Sequence, residues 1–425
     1  MENMDKLIIK YLKLIGTIQR TSRSWSAIPN STEMRPLGLT REDKQVRDWL
    51  VAECKGLGCE VKIDQMGNIF CVRPGKLTGV KPIAMGSRLE TQSAGGRYDG
   101  VLGILCGIEV LRTLHEHNYE TNYPIALIGW TNEGRTRFPG AMMSSGVWSG
   151  KYPTGLEACH AFVDPDGISM REALEKIGYL GDVPCNHQEN GIEAHFELHM
   201  EHDPILEQQQ KLGIVTSIRA MKWYEIRVNG KEEHSETTPT NADPDALATT
   251  SRLISAVENV SSQTDVGEAM IGVVRRDISI QSEIPAGVGF IVDVRCSTDE
   301  QVDEFCAAIF KQFDLVVAEE DNGTSYEIER VWGLPESTFD AKCVEISKKV
   351  TIHLVGEDRV LEMQSRSSHD SAWTSKVVPT GMIFVPSKDE ISHNPTDSTS
   401  LENCWLGAQA LLSWVLEYDE YLGSR

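Results

Sequence analysis

The chain has 425 residues, which is too long for one ordinary domain and predicts two. With 40% apolar and 24% charged residues, its composition is close to that of average globular proteins and excludes a largely disordered chain. The formal net charge of −22 disfavours binding to nucleic acid or to an anionic membrane, because both surfaces are negatively charged. We therefore expect the partner to be a small molecule.

Cysteine usage and hydropathy together predict a cytoplasmic protein. The ten cysteines are scattered without a Cys-x-x-Cys pair, a distribution typical of reduced thiols. No stretch approaches 18 consecutive apolar residues, the length that a membrane-spanning helix needs.

Short apolar strands alternate with helical periodicity in the first half of the chain. Pro82–Gly86 and Pro124–Trp130 have the composition of buried strands. Between them, apolar residues recur at helical spacing over residues 101–116 and predict a helix with one buried face. This order predicts an α/β domain, a mainly parallel sheet flanked by helices.

The pattern changes after residue 213. Lys222–Asn229 and Val288–Arg295 alternate like half-buried strands, and helical periodicity covers Pro244–Glu258 and Asp299–Phe313. We therefore predict an inserted α+β domain over residues 214–331. The first domain then consists of residues 1–213 and 332–425 and ends in a helix over Cys404–Tyr418.

Charged residues follow the predicted strands of the first domain. Arg88 and Glu90 come at the end of one strand, and Asp99 lies in the glycine-rich loop before the helix. Glu133 follows the next strand, where a general base can be placed, although an isolated glutamate there is more often a solvated loop residue. Ligands of open α/β sheets bind at these carboxyl ends, so a site is expected there.

A further polar face lies in Gly191–Glu201, where apolar residues alternate with two histidines and three glutamates. A strand with this alternation places five titratable side chains on one face, too many for a simply buried surface. That face should meet water or a polar site. Three other histidines, His234, His369 and His393, lie in distinctive local sequences.

These motifs, taken in order, carry a family resemblance. The chain resembles the N-carbamoyl-L-amino-acid amidohydrolase, β-alanine synthase and allantoate amidohydrolase family from about residue 40 to its C-terminus. The matching segments are residues 86–92 (GSRLETQ), 95–100 (GGRYDG), 130–133 (WTNE), 197–201 (ELHME), 234–239 (HSETTP), 293–295 (DVR), 368–370 (SHD) and 392–395 (SHNP).

The resemblance implies a catalytic centre with two divalent ions, usually zinc, and a glutamate that takes and returns a proton. Carried over by position, the bridging aspartate is Asp99 and the catalytic glutamate is Glu133. Two histidine ligands are intact as His199 and His393.

Two ligand positions depart from the family pattern. Arg88 replaces the first histidine ligand, and Gly134 replaces the glutamate ligand that follows the catalytic glutamate. The carboxylate that usually supports the site is Glu90, one methylene longer than the family's aspartate. Because a guanidinium offers only donors, Arg88 cannot bind zinc, and we predict that it forms a bidentate pair with Asp99 or Glu90. The sequence therefore predicts a site without the usual pair of zinc ions.

The resemblance also assigns residues to a small carboxylate substrate. Arg295 matches the arginine that binds the substrate carboxylate, and His234 matches a histidine of the closing lid. The full set of predicted substrate-binding residues is Arg295, His234, His369, Ser282, Glu90, Gln92 and His202. A homodimer formed through the inserted domain, with hinges near residues 213 and 331, is implied as well.

Three hypotheses remain open at this level. The first is an enzyme that acts on C–N bonds without zinc, by hydrolysis or by a related condensation or cyclisation. In this hypothesis Glu133 is the general acid/base and Arg88 the fixed cation. Asp99, His199 and His393 complete the site. The second is a conventional hydrolase with a single zinc ion, held by Asp99 and His199 with His393 as a candidate third ligand. The third is a binding protein without catalysis.

Overall fold

A computed structural model describes residues 7–10, 13–14, 16–18, 37–90, 98–201, 203–234, 244–276, 283–388 and 398–425. The chain divides into two compact units. One comprises Met1–Ser217 and Thr338–Arg425, and the other comprises Ile218–Ser337. The predicted boundaries at 213 and 331 fall inside strands, which explains why the structural division lies a few residues further along the chain.

The strands belong to three sheets, and the first unit contains most of the largest one. In chain order the strands are β1 Glu60–Ile63, β2 Ile69–Arg73, β3 Ile83–Arg88, β4 Ile125–Trp130, β5 Ala194–Met200, β6 Leu212–Ile218, β7 Ala220–Asn229, β8 Glu233–His234, β9 Gly267–Arg276, β10 Glu283–Ile284, β11 Gly287–Cys296, β12 Ser325–Leu334, β13 Ser337–Thr338, β14 Val360–Ser365 and β15 Thr380–Val385.

The helices follow the sequence periodicity closely. In chain order they are α1 Arg41–Gly56, α2 Val101–Glu116, α3 Met143–Ser149, α4 Gly155–Ala161, α5 Met170–Ile177, α6 Ile205–Gln209, α7 Ala246–Ser262, α8 Asp299–Glu320, α9 Ala341–Val355, α10 Ser371–Thr374 and α11 Leu401–Gly423, with a 3₁₀ turn at Glu357–Arg359. The predicted helix over 101–116 matches α2, whereas α8 extends seven residues beyond its predicted end at Phe313.

The large sheet has nine strands in the order β1-β2-β4-β3-β5-β15-β6-β13, with β14 beside β6. Its central strands β4, β3, β5 and β15 are parallel, whereas β1, β2 and β6 pair antiparallel with their neighbours. The α/β prediction is therefore confirmed, but the sheet is mixed rather than mainly parallel. Parallel order is confined to the centre because β1 and β2 form a hairpin at one edge and β6 returns antiparallel at the other.

Helix α2 lies close against the sheet because it lacks side chains at two positions. A Cβ atom on Gly103 would lie 2.7 Å from the Cβ atom of Ser87 and 2.6 Å from the carbonyl oxygen of Leu198. A Cβ atom on Gly107 would lie 2.5 Å from a methyl group of Leu127. The glycines thus hold the start of α2 next to the carboxyl ends of β3 and β5.

Strand β5 is buried along its whole length, including its polar face. Its apolar side chains face the core, where Phe196 stacks on Trp414 of α11 with ring centroids 4.1 Å apart. The opposite face carries His195, Glu197 and His199, so these side chains must find polar partners inside the protein. The prediction that this face meets a polar site is confirmed.

The second unit is a four-stranded antiparallel sheet in the order β12-β7-β11-β9, covered by α7 and α8. Burial alternates along β11, with Phe290, Val292 and Val294 inside. Arg295 lies on the half-exposed face, where its Nη2 is 2.6 Å from Oδ2 of Asp293.

No helix in the described part of the chain is long and apolar enough to cross a membrane. All ten cysteines are buried with free thiols.

Candidate active site

Parallel pairing brings the charged ends of three strands together. Arg88 is the last residue of β3 and is in register with Trp130, the last residue of β4. Glu133 follows Trp130 in a turn, and His199 lies near the end of β5. Because parallel strands end at the same edge, residues far apart in sequence meet here.

Arg88 is the centre of this cluster and is only 3% exposed. Its Nη2 donates to Oδ1 of Asp99 at 2.5 Å, and its Nε lies 3.0 Å from Oε2 of Glu133. Burial alone would lower the pKa of the guanidinium, but the charges of Asp99 and Glu133 outweigh it and raise that pKa above its ordinary value. The side chain is therefore a permanent cation between two carboxylates.

This pairing corrects the predicted partners of Arg88. The contacts are divided between Asp99 and Glu133 rather than forming a bidentate pair with Asp99 or Glu90. Glu90 meets Arg88 only through its carbonyl oxygen, 3.5 Å from Nη1. The Glu90 carboxylate is instead engaged by the backbone N–H of Glu133 and lies near Arg47. Arg88 packs directly over Gly100, where an added Cβ atom would be 2.3 Å from the Cγ atom of Arg88.

Glu90 instead supports the turn that carries Glu133. Its Oε1 accepts a hydrogen bond from the backbone N–H of Glu133 at 2.7 Å, and its Oε2 lies 3.9 Å from Nη2 of Arg47. The residue before Glu133, Asn132, has a left-handed backbone with φ 56°. A buried carboxylate thus fixes the position of Glu133, whereas the sequence placed Glu90 among the substrate-binding residues.

His199 extends the cluster on the other side of Asp99. Its Nε2 lies 3.5 Å from Oδ1 of Asp99, and its ring centroid is 4.8 Å from that of His369. His369, a predicted substrate-binding residue, precedes α10 and is 1% exposed. The structure therefore brings together Arg88, Asp99, Glu133 and His199, with His369 beside them.

Two further buried carboxyl groups were not among the predicted site residues. Glu197 accepts a hydrogen bond from Ser371 Oγ at 2.6 Å, and burial raises the pKa of its carboxyl group to about 8. Asp370 accepts from Ser145 Oγ at 2.5 Å, and burial likewise raises its pKa well above the ordinary value. The alternation in β5 pointed to Glu197, and the Ser-His-Asp string already contained Asp370.

His195, on the same face of β5, has a structural role. Its Nε2 accepts from Trp130 Nε1 at 3.1 Å, and Nδ1 lies 3.3 Å from Ser371 Oγ. Burial lowers its pKa to about 3, so the ring is neutral at ordinary pH.

The other predicted residues belong to the second unit or lie outside the described residues. Arg295 is on β11 of the second unit, and the backbone of His234 forms part of β8 in that unit. Gln92, His202, Ser282 and His393 lie outside the described residues.

Comparison with known proteins gives the family. The sequence profile of the peptidase family M20/M25/M40 matches residues 88–417. The chain belongs to this family. It is 35% identical to an N-carbamoyl-L-amino-acid amidohydrolase of Rhizobium meliloti over 385 residues, which cover 90% of each chain. It is 26% identical to the allantoate amidohydrolase of Bacillus subtilis over 86% of its own length and 89% of the relative's.

Solved structures agree with the sequence relatives of this M20/M25/M40 family member. A hydantoinase/carbamoylase family amidase from Burkholderia vietnamiensis superposes with a TM-score of 0.89 at 33% identity, covering 96% of this chain and 97% of the other. The predicted family is therefore confirmed, and the protein is an amidohydrolase that acts on C–N bonds.

The pair of metal ions that the family resemblance implies does not fit the residues found here. Asp99, at the bridging position, is paired with the Arg88 guanidinium at 2.5 Å. A guanidinium offers no lone pair to an ion, and by pairing with Asp99 it occupies the carboxylate that would have to bridge two ions. Gly134, at the second altered position, has no side chain with which to bind an ion.

Proposed function

We propose that this protein hydrolyses a C–N bond in a small carboxylate that carries an N-carbamoyl or related ureido group, and that it does so without the family's pair of zinc ions. The observation that carries the proposal is the buried Arg88 side chain, 2.5 Å from Asp99 and 3.0 Å from Glu133. A fixed positive charge beside a general base supplies the electrostatic stabilisation that the metal pair gives in relatives.

In this mechanism Glu133 is the proton carrier. It takes a proton from water as the water oxygen bonds to the carbonyl carbon, and it returns that proton to the leaving nitrogen as the C–N bond breaks. The negative charge that develops on the carbonyl oxygen is stabilised by Arg88. Asp99 holds Arg88 in place, and Glu90 holds the backbone of Glu133 at 2.7 Å.

The proposed substrate class rests on the relatives' chemistry. The relatives named above act on N-carbamoyl-L-amino acids or on allantoate, and a rice relative at 26% identity is a ureidoglycolate hydrolase. These substrates share a ureido group and a carboxylate. We assign the carboxylate to Arg295 by resemblance, and we further propose a homodimer, which sedimentation of the purified protein would test.

Turnover of a panel of N-carbamoyl-L-amino acids, allantoate and ureidoglycolate tests the proposal. Glu133→Gln and Arg88→Ala should each lower kcat about 10²–10⁴-fold on the substrate that reacts, because the proton carrier or the fixed cation is lost. Arg88→Lys keeps the charge but not the planar fork of donors, so its kcat should lie between those of Arg88→Ala and the wild type.

Matched controls exist elsewhere in the same unit. Glu109 is a buried carboxylate that pairs with Arg112, away from the candidate site. Glu109→Gln and Arg112→Ala should leave kcat within about threefold of wild type, as expected for residues that touch no reacting group. Wild-type turnover that persists in Glu133→Gln and Arg88→Ala would refute the mechanism. Thermal stabilisation by the panel with no turnover would favour a binding protein instead.

A further inference from the structure

Three buried side chains next to the Arg88 cluster converge like metal ligands. Glu197 and His199 are two residues apart on β5 and so share one face of the strand, and the loop before α10 brings His369 against His199. Their ligand atoms all lie within 4.8 Å of one another, and each residue is at most 2% exposed.

The hydrogen bonds of His369 fix a tautomer suited to metal binding. Ser365 Oγ donates its only proton to the carbonyl oxygen of Ser367 at 2.9 Å. The 3.1 Å contact between Ser365 Oγ and His369 Nε2 must then be donated by the histidine. Nε2 therefore carries the ring proton, and the lone pair is on Nδ1. A second hydrogen-bonded partner of this kind is typical of histidine ligands.

His199 can adopt the matching tautomer without moving. Its Nδ1 lies 2.9 Å from both the carbonyl oxygen and the amide nitrogen of Met200. Donation to that carbonyl oxygen places the lone pair on Nε2, the nitrogen that faces Asp99. Metal binding would select this arrangement, because a protonated nitrogen cannot be a ligand.

Glu197 is also held as a ligand would be. Both of its hydrogen bonds in the described structure, from Ser371 Oγ at 2.6 Å and Ser371 N at 3.3 Å, fall on Oε2. Oε1 is therefore the oxygen left for an ion. The hydrogen bonds to Oε2 fix the orientation of the carboxylate before any ion arrives.

The charge balance favours a cation at this place. Arg88 is shared by Asp99 and Glu133, whereas the hydrogen bonds to the buried Glu197 carboxyl group come only from Ser371 among the described residues. Buried carboxylates in excess of buried cations are stabilised by an additional positive charge.

We infer that Glu197, His199 and His369 form a binding site for one divalent transition-metal ion, with Zn²⁺ as the best match. Two imidazole nitrogens and one carboxylate oxygen are a recognised zinc ligand set that leaves a fourth position open. Only His199 belongs to the ligand positions that the family resemblance implies, so this is a different site. It does not depend on the proposed function, since Arg88 and Glu133 carry that chemistry without an ion.

The test is metal binding by the full-length protein. Protein stripped with a chelator is loaded with excess Zn²⁺ or Co²⁺, desalted, and analysed by plasma mass spectrometry and by visible absorption of the cobalt form. We expect one ion per chain and cobalt bands typical of nitrogen and oxygen ligands at low coordination number. Glu197→Gln and His369→Ala should each remove the ion, and Ser365→Ala should weaken its affinity about 10- to 100-fold.

Two variants separate this site from others. Asp99→Asn should keep the ion, whereas a family-type centre bridged by Asp99 would lose it. His160→Ala removes a buried histidine that bonds the carbonyl oxygen of Gln65 and should change nothing. The inference would be overturned if mass spectrometry found no bound zinc and the cobalt-loaded protein showed no visible bands. It would also be overturned if Asp99→Asn lost the metal and Glu197→Gln kept it. Circular dichroism establishes folding of each variant, and Ser365→Ala keeps the test valid if His369→Ala does not fold. Turnover in the Arg88 and Glu133 variants decides the proposed function separately.

Discussion

Two buried arginines in the same unit serve different purposes. Arg47 on α1 is 1% exposed and is bonded to the protein framework: Nε donates to Asp43 at 2.7 Å, and Nη1 donates to the carbonyl oxygen of Gly67 at 2.8 Å and to Thr131 Oγ1 at 3.1 Å. Arg88 is almost as buried, but its two short contacts are both with carboxylates. Arg47 divides its donors among one carboxylate, a backbone carbonyl and a hydroxyl group, which ties it to the framework, whereas Arg88 places its charge between two carboxylates of the candidate site.

The two arginines are linked through Glu90. Its carboxylate lies 3.9 Å from Arg47 and accepts the N–H of Glu133, which in turn faces Arg88. Arg47 therefore affects the candidate site only indirectly, by helping to position Glu90, which in turn holds the backbone of Glu133. Two measurements test this difference, and a third, on an exposed ion pair, gives the contrast with the protein surface; they are ordered by the size of the expected effect.

Arg47→Met should lower the free energy of unfolding by about 3–5 kcal/mol, because it leaves the buried carboxylates of Asp43 and Glu90 without their cation. Arg47→Lys keeps the charge but loses the fork of donors, so its free energy of unfolding should lie between those of Arg47→Met and the wild type. Denaturant unfolding gives the values. A loss below about 1 kcal/mol in Arg47→Met would contradict the framework role.

Gly67 and Gly100 form a matched pair, one beside each arginine, with φ values of +78° and +76°. Alanine at either position should cost about 1–3 kcal/mol, because an L side chain is strained in this conformation. Gly100→Ala should in addition reduce turnover, since its Cβ atom would displace Arg88. The measurements are thermal unfolding and kcat at a temperature where both variants are folded. Equal losses of kcat in Gly67→Ala and Gly100→Ala would contradict the different roles of the two arginines.

The smallest effect is expected at the protein surface. Lys10 and Lys13 lower the pKa of Glu116 to about 2 through hydrogen bonds and charge. Because the folded pKa is below the ordinary value, the stabilisation is present above about pH 4.5 and is lost as the pH falls towards 2. Glu116→Gln should therefore cost only about 0.2–1 kcal/mol at neutral pH, as is usual for exposed ion pairs, and nothing near pH 2. A constant difference across this range, measured by denaturant unfolding, would contradict the electrostatic origin.

Local sequence patterns were enough to predict the α/β class, the helix α2 and the strand-end positions of Arg88 and Glu133. Periodicity and strand-end position depend on neighbours within one or two turns, so they can be read locally. The resemblance added the family, which the profile match confirms, and the prediction that Arg88 and Gly134 occupy altered ligand positions.

The partners of the charged groups, in contrast, became known only from the folded chain. The Arg88 guanidinium pairs with the carboxylate of Glu133 rather than with that of Glu90, which is nearer in sequence. The ring of His369 lies beside that of His199, 170 residues earlier in the chain. The mixture of parallel and antiparallel strands in the large sheet could not be predicted from local sequence patterns either. The physical reason is the same in each case: such contacts depend on which strands pair and on how closely helices pack against them, and residue spacing along the chain does not contain that information.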